Sequence, residues 1–166
     1  MSPSSKTTRV RIVVADQSEA RFYDMEGHGA PMQPAGQLSD PLAHLHDRDL
    51  KSDRPGRKSD HAPIQAGRRG ATAHHGVGSD RKPRRHEAAL FAQKITDEVA
   101  AAQRADQFDR LVLVAPPAFL GLLRKALPAA LREAISAEVA KDLVHEPPSA
   151  VQAYLPAETF GMRARP

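Results

Sequence analysis

Short apolar runs separated by turn residues fill the first third of the chain. Residues 10–15 are a β-branched run that predicts a buried strand, and residues 16–18, Asp-Gln-Ser, are typical of a turn. Residues 20–25 predict a second strand that pairs antiparallel with the first. Residues 27–36, which include two prolines, predict a loop. Apolar and polar positions alternate over residues 42–46, and this alternation predicts a short, half-exposed third strand.

The second half of the chain alternates between helical and strand patterns. Residues 86–104 predict a helix, and residues 111–115, which are apolar on both faces, predict a central strand. Residues 119–127 and 129–136 predict two more helices, and residues 139–144 predict a last strand that pairs parallel with the central one. The first of these helices carries an apolar stripe at helical spacing: Ala88, Phe91, Ala92, Ile95, Val99 and Ala102.

This order of elements predicts an α/β fold, with an antiparallel hairpin on one side of the sheet and right-handed crossovers on the other. A chain of 166 residues suits one domain with a real core. We expect residues 1–8 to be disordered, residues 9–148 to form a single α/β domain, and residues 149–166 to form a C-terminal tail with one short helix. The expected core comprises Ile12, Val13, Phe91, Ile95, Leu111, Leu113 and Val114.

Positive charge is concentrated in residues 51–86, which we call the basic segment. This segment contains ten Lys and Arg residues against three Asp residues, a net charge of +7, whereas the rest of the chain sums to −3. Hydrophobic periodicity is absent from residues 51–85, so they predict a long basic loop. We expect residues 58–84 to be poorly ordered without a ligand, because they lack apolar residues that could be buried.

A concentration of cations on one segment favours a polyanion as the ligand, and RNA in the form of tRNA or the ribosome is the expected partner. Residues 51–85 contain no aromatic residue, which argues against sequence-specific readout of single strands. The competing interpretation is a solvated loop whose charge only aids solubility. The candidate anion-binding residues are Arg54, Arg57, Lys58, Arg68, Arg69, Arg81, Lys82, Arg84, Arg85 and His86.

The start of the basic segment, SDRPGRKSD at residues 52–60, predicts a type II turn with Pro55 and Gly56 at its two central positions. Two interpretations remain open. Asp53 and Arg57 could clamp the turn onto the domain, or Arg57 could join the neighbouring Arg54 and Lys58 in a rigid anion site at the entrance of the loop.

Three stretches resemble a known family: VVADQSEARFYD at 13–24, SDRPGRKSD at 52–60, and FDRLVLVAPPAFLGLLRKALP at 108–128 continued by KDLVHEPP at 141–148. They resemble the bacterial host-attachment proteins, described as required for attachment to host cells. That family is regarded as a relative of the middle domain of archaeal and eukaryotic peptide-chain release factors. The resemblance covers most of residues 9–148.

The resemblance implies an RNase H-like sheet, similar to the release-factor middle domain, with helices packed on it. In the release factors, a Gly-Gly-Gln tripeptide in the loop before the long helix triggers hydrolysis of peptidyl-tRNA. The equivalent loop here, residues 56–85, has no such tripeptide. Gln65 is the single glutamine of the basic segment, so a hydrolase activity would have to depend on this position.

The remaining candidate chemistry is weak. The absence of cysteine excludes thiolate metal sites and cysteine nucleophiles. Asp16 ends the first strand, where RNase H-like nucleases place a metal-binding carboxylate, and Asp24 lies on the next strand, but a turn aspartate explains Asp16 better. Six histidines in or near the basic segment lack zinc spacing and suit a polar, pH-sensitive cluster better than a metal site: His44, His46, His61, His74, His75 and His86. No cofactor and no catalytic constellation are predicted.

The sequence contains neither a secretory h-region nor an apolar run of membrane-spanning length, so the cytoplasm is the expected compartment. Three functional hypotheses remain. The first is a non-enzymatic domain that binds RNA through the basic segment. The second is a host-attachment, adhesion or regulatory factor without a nucleic-acid ligand. The third is a peptidyl-tRNA hydrolase that uses Gln65.

Overall fold

The computed structural model describes residues 7–43 and 81–160 of the chain. These residues form a mixed five-stranded sheet in the order β3-β2-β1-β4-β5. β1 pairs antiparallel with β2 and parallel with β4, while β3 and β5 form the two edges. The strands are β1 (Arg9–Ala15), β2 (Glu19–Glu26), β3 (Gln33–Ser39), β4 (Arg110–Val114) and β5 (Ile135–Val139). The predicted α/β class, the first hairpin and the parallel pairing of the last two strands are confirmed.

Within residues 81–160, four α-helices and a short 3₁₀ helix cover this sheet. The helices are α1 (Arg81–Arg104), α2 (Pro117–Ala126), α3 (Ala129–Ala134) and α4 (Pro148–Ala153), and the 3₁₀ helix is Ala157–Phe160. Prolines precede or begin α2, α3 and α4, which agrees with the preference of proline for the first turn of a helix.

The third strand was predicted at the wrong position. Residues 41–43 are helical and residues 44–46 lie outside the described residues, while β3 occupies 33–39, mostly within the predicted loop. The backbone amide of Leu42 donates to Asp40 Oδ1 at 3.1 Å, so Asp40 caps a helical turn there. β3 contains proline and glycine and has little strand propensity of its own, and its pairing with β2 therefore decides its conformation.

Two further boundaries differ from the prediction. α3 ends at Ala134 and β5 follows at once, so the last strand lies about four residues before the predicted 139–144. Leu143 and Val144 are buried, as expected of strand residues, but they belong to the cover over one face of the sheet. α1 begins at Arg81 rather than at residue 86, so Arg81 to Arg85 lie on a helix and not in a loop.

The core has one half on each face of the sheet. On the first face, Leu111 and Leu113 of β4 pack against α1, α2 and α3. On the second face, Val112 and Val114 pack against residues from the 143–160 segment. β4 is therefore buried on both faces, as predicted, and all seven predicted core residues are at most 2% exposed. At roughly 1.5–3 kcal/mol for each large side chain, this burial supplies most of the driving force for folding.

Candidate functional site

The carboxyl edge of the sheet, where β1, β4 and β5 end, is the natural place for a site. The connection after β1 turns back to β2, whereas the connection after β4 crosses to β5 through α2 and α3, so the two leave in opposite directions. In open α/β sheets, ligands bind at such a divergence because it leaves a crevice between the two connections.

Asp16 organises the turn between β1 and β2. Its Oδ1 accepts hydrogen bonds from the backbone amides of Ser18 and Glu19, both at 2.7 Å, and from the Ser18 hydroxyl at 2.8 Å. The carboxylate thus does what the sequence predicted of a turn aspartate.

The nuclease interpretation gains no support from the geometry. Asp24 lies directly opposite Arg11 in the β1–β2 pairing and is hydrogen-bonded to its guanidinium, several residues away from Asp16 along the hairpin. Within residues 7–43 and 81–160, no three His, Asp or Glu side chains are grouped so that they could hold a metal ion.

The N-terminal end of α1 extends beyond the carboxyl edge. The Phe91 ring stacks on Phe119, in the first turn of α2, at a centroid distance of 6.2 Å, so Phe91 lies near the end of β4. The four residues 83–86 are all exposed, although successive residues of a helix point in different directions. We call residues 81–86, which span roughly 9 Å along this end of the helix, the overhang.

Arg84 and Arg85 lie on the inner face of the overhang. They precede the buried Ala88 by four and three residues, and residues at these spacings share one face of a helix. Arg84 and Arg85 thus continue the apolar stripe of α1 but are exposed. His86 falls on the outer face, with the exposed Leu90 four residues later.

At the carboxyl edge, the exposed arginines of α1 lie on the first face of the sheet, and acidic residues lie on the second. In the described part of the chain, no carboxylate forms an ion pair with Arg84 or Arg85. On the second face of the sheet, Arg21 donates to Glu19 at 2.8 Å, and this hydrogen bond raises the pKa of the arginine above its ordinary value. His145 Nδ1 lies 3.9 Å from Glu19 Oε2, and Nε2 lies 4.0 Å from Asp16 Oδ2.

The predicted site residues fall into two groups. Arg84, Arg85 and His86 are exposed on α1, and the backbone of Arg81 and Lys82 belongs to the same helix. The other predicted anion-binding residues lie outside the described residues: Arg54, Arg57, Lys58, Arg68 and Arg69. Gln65, Asp53 and the remaining histidines of the proposed cluster also lie outside the described residues.

Sequence analysis missed a groove on the second face of the sheet. It has a volume of about 340 Å³ and lies between the turn after β2 and the C-terminal segment, with Met25, His28, Gln152, Leu155 and Phe160 in its wall. The residues come from distant parts of the chain, and the turn is tied to α4 by a 3.1 Å hydrogen bond from Gln152 Nε2 to the carbonyl of Ala30. No local pattern could indicate this arrangement.

Comparisons with known proteins give a family and, among solved structures, distant likenesses. The crystal structure of the archaeal translation termination factor aRF1 matches with a TM-score of 0.48 and 9% sequence identity, over 91% of this chain and 36% of the factor. The chain thus corresponds to about a third of that factor, and a likeness at this level carries no functional argument. A search of curated proteins found no match.

Two further findings concern membrane-spanning helices and the family of the chain. Within the described residues, no helix has the length and apolar character needed to cross a membrane. The family model described as "Protein required for attachment to host cells" matches residues 11–155, which is most of the chain. The match includes all five strands apart from the start of β1, and it confirms the resemblance noted from the sequence. The chain therefore belongs to the family of proteins required for attachment to host cells.

Proposed function

We propose that this protein is a non-catalytic cytoplasmic domain that binds RNA, with tRNA or the ribosome as its partner, through the cations of the basic segment. The observation that supports this most directly is the overhang of α1. There Arg84 and Arg85 are exposed on the face that elsewhere in the helix is buried. Among the described residues nothing buries these two side chains, so their charge is available to a ligand.

The electrostatic setting favours an anion. Arg84 and Arg85 have no ion-pair partner within the described ranges, and the segment to which they belong carries a net charge of +7. Arginine binds phosphate through its planar fork of N–H donors, and each phosphate contact releases condensed counterions from the nucleic acid. A cluster of this kind supplies affinity without sequence specificity.

The described residues that precede and follow 44–80 lie at the same edge of the sheet. The amide of Asp40, just before the undescribed residues, donates to the carbonyl of Ser18 at 2.8 Å, at the carboxyl edge. α1, just after them, begins beyond the same edge. The described residues on either side of 44–80 thus lie at the edge that carries Arg84 and Arg85.

Changing Arg81, Lys82, Arg84 and Arg85 together to Ala tests this proposal. Fluorescence anisotropy with labelled tRNA at about 50 mM salt should show an affinity loss of roughly a hundredfold or more, similar for unrelated RNAs. The matched control removes four exposed cations elsewhere on the domain, Lys94, Arg110, Lys125 and Arg132, and should change affinity far less. Equal losses in the two variants would show that only net charge matters.

The family description favours a second candidate, an attachment or regulatory factor without a nucleic-acid ligand. Failure of the wild-type protein to bind tRNA or ribosomal RNA even at low salt would favour this candidate. The peptidyl-tRNA hydrolase hypothesis has a separate test. A Gln65→Ala change should leave RNA binding intact and should matter only if the protein releases peptides from tRNA.

A further inference from the structure

A histidine on the second face of the sheet lies between two carboxylates. His145 belongs to a short turn, residues 143–146, in which the amide of Glu146 donates to the carbonyl of Leu143 at 3.0 Å. Leu143 and Val144 pack into the core of the second face, whereas the His145 side chain is 69% exposed. The backbone of this turn is therefore held by packing, and the imidazole ring lies at the surface.

Each ring nitrogen of His145 faces an oxygen of a different carboxylate. Nε2 lies 4.0 Å from Asp16 Oδ2 in the β1–β2 turn, and Nδ1 lies 3.9 Å from Glu19 Oε2 at the start of β2. The other oxygen of each carboxylate is hydrogen-bonded. Asp16 Oδ1 accepts the three hydrogen bonds of the turn, and Glu19 Oε1 accepts one from Arg21 at 2.8 Å. These hydrogen bonds orient the two oxygens that face the ring.

The protonation state of the ring decides how many of these contacts are favourable. A neutral imidazole has one N–H donor and one acceptor nitrogen, whereas the imidazolium cation has a donor at both nitrogens. Carboxylate oxygens only accept, so a neutral ring between Asp16 and Glu19 presents a lone pair to one of them. At these ion-pair distances, the cation is attracted by both carboxylates together.

Other charged groups near the ring do not cancel this attraction. Arg21 binds the Glu19 oxygen that does not face His145. In the part of the chain that the structure describes, the ion-pair distances of the ring are to Asp16 and Glu19 alone. The charged neighbours on its own segment are exposed: Lys141, Asp142 and Glu146.

We propose that His145 is a pH-dependent bridge that, when protonated, holds the 143–146 turn against the β1–β2 turn at the carboxyl edge. The closed arrangement offers two carboxylates to the cation, so closing takes up a proton and acid favours it. An ordinary imidazole is charged below about pH 6 and neutral above about pH 7, while ordinary Asp and Glu side chains stay ionised across this range. The contribution of the bridge is therefore present at about pH 5.5 and lost as the pH rises, so the turn opens more often at about pH 8.

Hydrogen exchange of residues 140–147, followed by mass spectrometry and corrected for the intrinsic effect of pH, tests this inference. The comparison is with His145→Gln, which keeps a polar side chain but cannot be charged. At about pH 5.5, the segment should exchange about three- to tenfold more slowly in wild type than in this variant, since exposed ion pairs contribute modestly. At about pH 8, the two proteins should exchange alike.

Two more variants make the test specific. His28→Gln changes another exposed histidine on the second face and should exchange as wild type does at both pH values. Glu19→Gln removes one of the two charges that face the ring and should reduce the protection at about pH 5.5.

The bridge would be disproved if wild type and His145→Gln exchanged alike at about pH 5.5. Slower exchange in wild type by the same factor at both pH values would also overturn it, because His145 would then act through packing and not through charge. Full protection in Glu19→Gln would overturn the arrangement with two carboxylates. RNA does not enter this experiment, so its outcome is independent of the proposed function.

Discussion

The ion pair between Arg11 and Asp24 should contribute measurably to the stability of the sheet. Arg11 is 5% exposed on β1 and lies directly opposite Asp24 on β2. Its guanidinium donates two hydrogen bonds to the Asp24 carboxylate, one of them at 3.0 Å, and a third to Gln107 Oε1 at 3.1 Å. The Phe108 ring lies 5.6 Å from the guanidinium carbon. An Asp24→Ala change would leave a buried cation with only part of this support.

The size of the stability loss depends on how deeply the Arg11–Asp24 pair is buried. Removing one partner of a fully buried pair costs about 3–5 kcal/mol, because the remaining charge loses its compensation. The Asp24 side chain is 36% exposed, so water replaces part of the carboxylate, and Gln107 remains as an acceptor. We therefore expect a loss of about 2–3 kcal/mol for Asp24→Ala. For a chain of this size, this loss corresponds to a fall in Tm of about 5–10 °C.

Urea and thermal denaturation measure this loss, and two comparisons make it specific. Arg11→Met fills similar space without a charge and leaves only the half-exposed carboxylate, so it should cost about 1 kcal/mol. Glu138→Ala breaks the exposed pair with Arg124 and should cost far less than Asp24→Ala, because water screens an exposed pair. The reasoning would be refuted if the free energy of unfolding of the Asp24→Ala variant lay within about 0.5 kcal/mol of wild type. It would also be refuted if Arg11→Met lowered that free energy more than Asp24→Ala does.

Two further changes test the core and the carboxyl edge. Leu113→Asp places an unpaired charge on the central strand, at a position that is 2% exposed. Circular dichroism of this variant should show no cooperative melting transition. A soluble variant that melts cooperatively would contradict the assignment of β4. Asp16→Ala removes three hydrogen bonds from the β1–β2 turn and should lower the free energy of unfolding by about 1–2 kcal/mol. RNA binding should persist in this variant. Loss of RNA binding with the stability unchanged would instead give Asp16 a functional role.

The sequence predicted elements well where burial dominates. Leu111 to Val114 could be assigned to a central strand because both faces are apolar, and both faces are indeed covered. β3 could not be predicted, because Pro34 and Gly36 give it little strand propensity and the pairing with β2 supplies its conformation. Leu143 and Val144 were assigned to a strand because burial alone does not distinguish a strand from a covering loop.

The candidate site could likewise be predicted from the sequence only in part. The concentration of charge near Arg84 and Arg85 is visible in the composition of the segment. The start of α1 was placed too late, because charged residues without apolar periodicity resemble a loop although Arg and Lys are good helix formers. The inner-face position of these arginines depends on where the sheet ends beneath the helix, which is a tertiary property that the periodicity of α1 does not contain.

The most direct test of RNA binding by the overhang is the dependence of affinity on salt. For wild-type protein and labelled tRNA, the logarithm of the association constant should fall linearly with the logarithm of salt concentration between about 50 and 200 mM. The Arg84→Ala, Arg85→Ala variant should show a slope shallower by about two units, one for each phosphate that is no longer bound by an arginine, while its Tm stays near that of wild type. A slope that is the same in both proteins would contradict the account, because it would mean that neither arginine contacts a phosphate.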